Sequence, residues 1–149
     1  MTKTPRVILK WQYPRQIDYI FYDKQIYEKG IYFISRKFGK NNTPLYIGKT
    51  YDCFYNRLSN HLANEKFTNY RGKILVRLGI IDSPKNIIYE EMKDIIDDIE
   101  KGLIYEMRNV LPLNTMSVNS YTVKKFYIIV NTGYRGVLPT RIYMRKHTE

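Results

Sequence analysis

Gly30-Ile31-Tyr32-Phe33-Ile34-Ser35 and Pro44-Leu45-Tyr46-Ile47-Gly48 decide the fold. Both runs are rich in β-branched and aromatic residues and read as strands. Between them stands Arg36-Lys37-Phe38-Gly39-Lys40-Asn41-Asn42-Thr43, with glycine and asparagines where a hairpin must reverse. The pair therefore predicts an antiparallel hairpin with Tyr32 and Tyr46 on adjacent strands. Two phenols so placed can converge on one point. A phenol there can donate, accept, or act as a base if its neighbours lower its pKa.

A helix is predicted directly after the hairpin, over residues 51–66. Phe54, Leu58 and Leu62 recur every four residues and make an apolar stripe. On a helical wheel His61 lies about 20° and Arg57 about 60° from Phe54, at the border of that stripe. If the helix packs on the hairpin, both side chains point toward the tyrosines. Taken singly, Arg57 is a solvated side chain on an apolar stem and His61 a buried histidine bonded to backbone.

The clearest helix is predicted over 93–110. Ile96, Ile99, Leu103, Met107 and Val110 follow helical spacing, Asp94, Asp98, Lys101 and Arg108 fall opposite, and Pro112 stops it. Glu100 is the anomaly, about 40° from Ile96 and about 60° from Leu103, inside the apolar stripe. A carboxylate placed there must be paired, protonated or bound to a cation. An ion pair with Arg57 or a lysine is one resolution and a metal ion another. Glu106, at the stripe's edge, is the alternative ligand.

Other segments are read more coarsely. Val7-Ile8-Leu9 and Tyr19-Ile20-Phe21-Tyr22 look like strands in an extension over residues 1–29. Residues 67–80 read as a short basic helix ending near Gly79, with Arg71 and Lys73 able to touch a phosphate backbone. Asn86-Ile87-Ile88-Tyr89-Glu90-Glu91-Met92 reads as a third strand. Lys125–Val130 and Arg141–Met144 read as strands of a basic extension over 115–149.

Composition bounds the function. The chain has 149 residues, enough for one domain with a modest core. Its net charge is +11, yet residues 82–106 hold eight acids and three bases, so the remainder carries +16. Such a surface attracts polyanions. Anionic membrane is the competing polyanion, but no strongly basic amphipathic helix supports it, and no apolar run approaches a membrane span. Met1-Thr2-Lys3-Thr4-Pro5-Arg6 lacks the apolar core of a signal peptide. The single Cys53 forms no internal disulfide, which fits a reducing cytoplasm. Two histidines and one cysteine make a zinc cluster a poor expectation. Fifteen tyrosines suit both base stacking and half-buried strands, and decide little.

Gly30-Ile31-Tyr32 and Tyr46-Ile47-Gly48 resemble the paired motif of the GIY-YIG nuclease family. The resemblance extends in order to Arg57, His61, Glu100 and Asn114, and covers residues 30–114. Thirteen residues (33–45) separate the two tyrosines. That is slightly more than the family's usual spacing, and a longer hairpin loop would take it up. The resemblance implies phosphodiester hydrolysis of DNA, double-stranded rather than single-stranded, by a bacterial or phage restriction or homing-type enzyme.

It also implies roles. Glu100 would hold one divalent ion, Mg²⁺ or Mn²⁺, and Arg57 would bind the phosphate. Tyr32 would be the general base, with its phenol pKa depressed by Arg57, the ion and Lys49. Tyr46 would orient water or phosphate, and His61 would bond a tyrosine or assist proton transfer. Asn114 would brace the site from behind. Lys49, Arg71 and Lys73 would contact substrate, and Gly30 and Gly48 would allow close approach.

The competing readings are a DNA-binding protein that keeps the fold without cleaving, and a basic protein-interaction module. The expected architecture is α/β of the α+β kind. Hairpin strands and the 86–92 strand form a small, mainly antiparallel sheet, flanked by the two helices and extended at its edges by the terminal segments. A monomer and a homodimer are both compatible with it.

Overall fold

The structure is a computed structural model that describes residues 3–63, 67 and 70–146. Seven strands form one mixed sheet: β1 (Arg6–Trp11), β2 (Arg15–Gln16), β3 (Gly30–Phe38), β4 (Asn41–Thr50), β5 (Lys73–Ser83), β6 (Ile128–Gly133) and β7 (Arg141–Tyr143). Their order is β4-β3-β5-β1-β6-β7, with β2 also on β5. The β1–β6 pairing is parallel and the other pairings are antiparallel. Two helices, α1 (Phe54–Ala63) and α2 (Tyr89–Glu106), pack on opposite faces. The α+β expectation therefore holds.

The sheet separates two cores. On one face Ile31, Phe33 and Ile47 meet Ile96, Ile99 and Leu103 of α2. On the other, Tyr32, Ile34, Val76 and Leu78 meet Phe54 and Leu58 of α1. Strand alternation sorts consecutive residues of β3 between the two.

Several expectations are corrected. The hairpin reverses at Gly39-Lys40 alone, since Phe38 already pairs with Asn41. Gly39 has a φ of 64°, which the first central position of a type II′ turn requires. The extra length lies in the strands. Ile34 pairs with Tyr46 and Ser35 with Pro44, so Leu45 is an extra, bulged residue. The bulge turns Leu45 into the α1-side core.

Residues 67–80 contain no helix among those described; Lys73–Ser83 is the central strand β5. Its true period is two, because Ile74, Val76, Leu78 and Ile80 all enter the α1-side core. Gly79 is no helix stop: a Cβ there would stand 2.9 Å from the Trp11 ring. The expected strand 86–92 is absent. Asn86 has a φ of 58°, which breaks a strand, and Glu90 and Glu91 occupy the first turn of α2, where the helix dipole favours acids. Helix α2 thus starts earlier than 93 and ends at Glu106, followed by a 3-10 turn over Arg108–Val110.

Tyr19–Tyr22 is likewise no strand. Two 3-10 turns, Ile20–Tyr22 and Lys24–Tyr27, bury Ile20 and Ile26, and the Asp23 carboxylate accepts from the Gln25 amide. β1 lies inside the sheet between β5 and β6, not at its edge. The last three residues of the expected 51–66 helix lie outside the described residues. Asp98, expected on the solvent face of α2, is 2% exposed and accepts hydrogen bonds from the Lys124 and Lys125 amides.

Candidate active site

β4 is the edge strand, and the site wraps round it. Tyr32 of β3 is completely buried against α1. Its position depends on Gly48, directly opposite on β4: a Cβ there would overlap the phenol, with Tyr32 Cε2 at 2.7 Å. Helix α1 supplies the next two groups. The Tyr32 hydroxyl lies 2.6 Å from His61 Nε2, and Arg57 Nε donates to it at 3.2 Å. His61 is buried while Leu62 is 38% exposed. The buried stripe of α1 is therefore Phe54, Leu58 and His61, with the imidazole in the slot expected for Leu62. The Arg57 side chain also hydrogen-bonds Tyr46, and the residue is exposed on its outer side. Tyr46 stacks obliquely on Tyr32, with centroids 6.1 Å apart.

The other side of the site comes from β4 and α2. Lys49 shares the α2-side face with Ile47. Its ammonium lies 3.4 Å from the Glu100 carboxylate and in direct contact with Asp97. Tyr51 donates to Asp97 at 2.8 Å. Lys49 thus bridges two carboxylates one helical turn apart. Glu100 has a side chain only 14% exposed, so the anomaly in its stripe is resolved here by a lysine. Glu106 faces a different cavity, with Tyr105 and Tyr121.

Asn114 grips the free edge of β4. Its side chain accepts from the Ile47 amide and donates to the Ile47 carbonyl, each at 2.9 Å. The Leu113 amide donates to the Leu45 carbonyl at 3.1 Å. Residues 113–114 thereby act as a short pairing partner for an otherwise open edge. A cavity of about 330 Å³ opens between these elements, lined by Tyr46, Lys49, Glu100 and Asn114.

Electrostatics follow from burial. Burial and the neighbouring Tyr46 raise the Tyr32 phenol well above the usual range, and the Arg57 hydrogen bond opposes them without winning. The depressed phenol expected for a standing base is therefore not found. Burial raises the Glu100 carboxyl, against the pull of Lys49. Burial alone would lower Lys49, but Asp97 and Glu100 outweigh it and the ammonium is held charged. Burial works to raise Asp97 too, yet the Lys49 and Tyr51 hydrogen bonds leave it below its ordinary value.

A divalent cation fits this corner. Glu100 offers a hard oxygen beside this open cavity, and an ammonium already sits between it and Asp97. No group of three or more His, Cys, Asp or Glu side chains that could hold a metal occurs among the described residues. An ion here would therefore draw its other oxygens from water and substrate.

The sequence-expected residues thus divide. Tyr32, Tyr46, Arg57, His61, Lys49, Glu100 and Asn114 gather at the β4 edge. Arg71 and Lys73 do not: Lys73 pairs with Lys37 toward the hairpin end of the sheet, where it borders a separate cavity that reaches back to His61. Asp97 and Tyr51 were not singled out. The available signal was the placement of Asp97 three residues before Glu100, on the same helical side.

A family profile described as the GIY-YIG catalytic domain matches residues 28–111, more than half of the chain. The chain belongs to the GIY-YIG family. This makes it a phosphodiester-hydrolysing endonuclease with a nucleic-acid substrate; GIY-YIG nucleases in general depend on a divalent metal. Searches of curated proteins and of solved structures return no match. No described helix is long and apolar enough to cross a membrane.

Proposed function

We propose that this chain is a Mg²⁺- or Mn²⁺-dependent endonuclease acting on double-stranded DNA, of the restriction or homing type found in bacteria and phage. The observation that carries the reading is the Arg57–Tyr32–His61 hydrogen-bonded row facing the Lys49–Glu100 pair across the β4 edge. One continuous sheet supports treating residues 1–149 as a single domain; the lone Cys53 fits work in the cytoplasm, and a monomer and a homodimer are both compatible with it.

The residues divide the chemistry. Glu100 would hold the divalent ion, which when bound neutralises charge on the phosphate and on the departing oxygen. Arg57 would contact the phosphate with its guanidinium, which its Nε ties to Tyr32 and a further hydrogen bond ties to Tyr46. Tyr32 keeps its proton at rest because of its burial. It serves as base by relay: its oxygen takes a proton from the attacking water as its own passes to His61 Nε2. Tyr46 orients the water, and Asn114 holds the Ile47 peptide and hence the strand that carries Tyr46 and Lys49.

The test is incubation with supercoiled plasmid, linear duplex and single-stranded DNA, with Mg²⁺ or with EDTA. Metal-dependent cutting of duplex that disappears in Glu100→Gln is the expected result. Tight binding without cutting of any substrate would promote the non-catalytic binder instead.

A further inference from the structure

The hairpin end of the sheet, away from Lys49 and Glu100, carries charge that the catalytic chemistry does not use. Residues 29–51 contain no acid, and neither do residues 67–81. The fold brings the bases of these two segments together. Lys37 of β3 lies directly opposite Lys73 of β5, and Arg71 stands just before the strand. Gly72, with a φ of 91°, allows this approach: a Cβ there would collide with the Lys37 carbonyl oxygen and stand 3.1 Å from Phe38 Cβ. Lys40 occupies the hairpin turn, and Arg36 lies with its guanidinium 5.9 Å from the Phe38 ring centroid.

None of these five bases makes an ion pair among the described residues. Like charges directly opposite on paired strands oppose folding. The arrangement therefore works against stability unless an anion lies between the cations. Phe38, at the tip, is 51% exposed, an aromatic ring set among cations.

The patch is aligned with the active site. β3 pairs with β5 without a shift from Ile31 to Lys37, and Lys49 is opposite Ile31. Strand alternation puts Lys49, Lys37 and Lys73 on one face of the sheet. Six residues of strand separate the two ends, about 20 Å. A DNA strand advances about 3.4 Å per nucleotide, so the two ends lie about six nucleotides apart along one backbone. A stiff duplex bridges that distance without losing freedom of its own.

We propose that the β3–β4 hairpin tip, with Lys37, Lys40, Arg71 and Lys73, is a clamp on the phosphate backbone of duplex DNA, with Phe38 packing against the sugar or base edge. It rests on the nuclease reading for its partner and deepens it by locating the second contact, about six nucleotides from the scissile phosphate.

The experiment is fluorescence anisotropy of a mixed-sequence 30-base-pair duplex, in EDTA, across a salt series, with cleavage in Mg²⁺ measured separately. Lys37→Ala/Lys73→Ala is expected to weaken binding about tenfold and to flatten the slope of log K against log salt by about 1.8, the loss of two phosphate contacts. Its Tm should not fall, since a repulsion has been removed. Lys10→Ala/Arg141→Ala, an equal charge change on other strands, should leave the slope unaltered. Phe38→Ser should weaken binding without moving the slope. An unchanged slope in the tip variant of a protein that still cuts overturns the clamp alone. The expected slope change in a protein that never cuts upholds the clamp and removes the nuclease reading. Tighter binding of single strands than of duplex overturns the duplex assignment.

Discussion

Gly48 stands directly across the β3–β4 pair from Tyr32, and the absence of its side chain is the space that the phenol fills. Its φ is not in the left-handed region, so backbone freedom is not what position 48 needs. The requirement is room. The second half of the paired motif thus shapes the seat of the first.

Gly48→Ala separates this steric account from a conformational one. The added methyl must displace a fully buried ring, at about 1–3 kcal/mol. Calorimetry should record a Tm drop of several degrees, with cleavage lowered about a hundredfold because Tyr32 leaves its line with Arg57 and His61. Full activity in Gly48→Ala would show that Tyr32 need not sit where it does.

The buried phenol makes two pH predictions. Tyr32 keeps its proton in the folded state above the pH where an exposed tyrosine, with a pKa of about 10, releases it. The unfolded chain then binds fewer protons than the folded one, so this residue's contribution is intact below about pH 10 and is lost as pH rises beyond it. Urea unfolding should show wild type losing about 1 kcal/mol more than Tyr32→Phe between about pH 8.5 and 10.5. The second concerns rate. Relay onto an imidazole should give a pH–rate profile that levels off once the imidazole is neutral. A rate still climbing tenfold per unit toward pH 10 would mean a free phenolate is the base.

Asn114 offers a stability test of the edge strand. It satisfies both polar groups of the Ile47 peptide. Asn114→Ala should cost about 2 kcal/mol and speed amide exchange at Ile47 in particular, measured by hydrogen-exchange NMR. A loss spread evenly over the sheet would deny it this local role.

How much of this was legible can be argued residue by residue. The hairpin and α2 were readable because their periods are clean and local. β5 was not, because Arg71, Lys73 and Arg77 made a two-residue period look like a basic helix face. Its membership in the sheet comes from β1, β2 and β3, partners far away in sequence. Tyr19–Tyr22 failed for the opposite reason. It has strand-like residues but no strand partner among the described residues, and its buried Ile20 packs beneath α1 with Ile26 of the next turn.

The gathering of the candidate residues was more legible than their electrostatics. Ordered motifs located Tyr32, Arg57, His61, Glu100 and Asn114. Nothing local indicated that Tyr32 would be buried deeply enough to raise its pKa, or that Lys49 would leave the tyrosines for Asp97 and Glu100. Burial and long-range pairing are properties of the assembled sheet.

The Lys49 bridge leads to the last prediction. An ammonium 3.4 Å from Glu100 competes with a divalent ion for that carboxylate and also holds Asp97 beside it. Lys49→Met removes the competitor while keeping the stem's bulk. Mn²⁺ should then bind roughly tenfold more tightly by calorimetry without DNA, since one positive charge is gone from the site. Cleavage should nevertheless fall if Lys49 is a substrate contact, because a cation for the phosphates is lost with it. Tighter metal with slower cutting marks Lys49 as a placeholder that yields Glu100 on loading and then turns to the substrate. Weaker metal binding in the same variant would instead make the lysine a support that orients Glu100, and the exchange would be wrong.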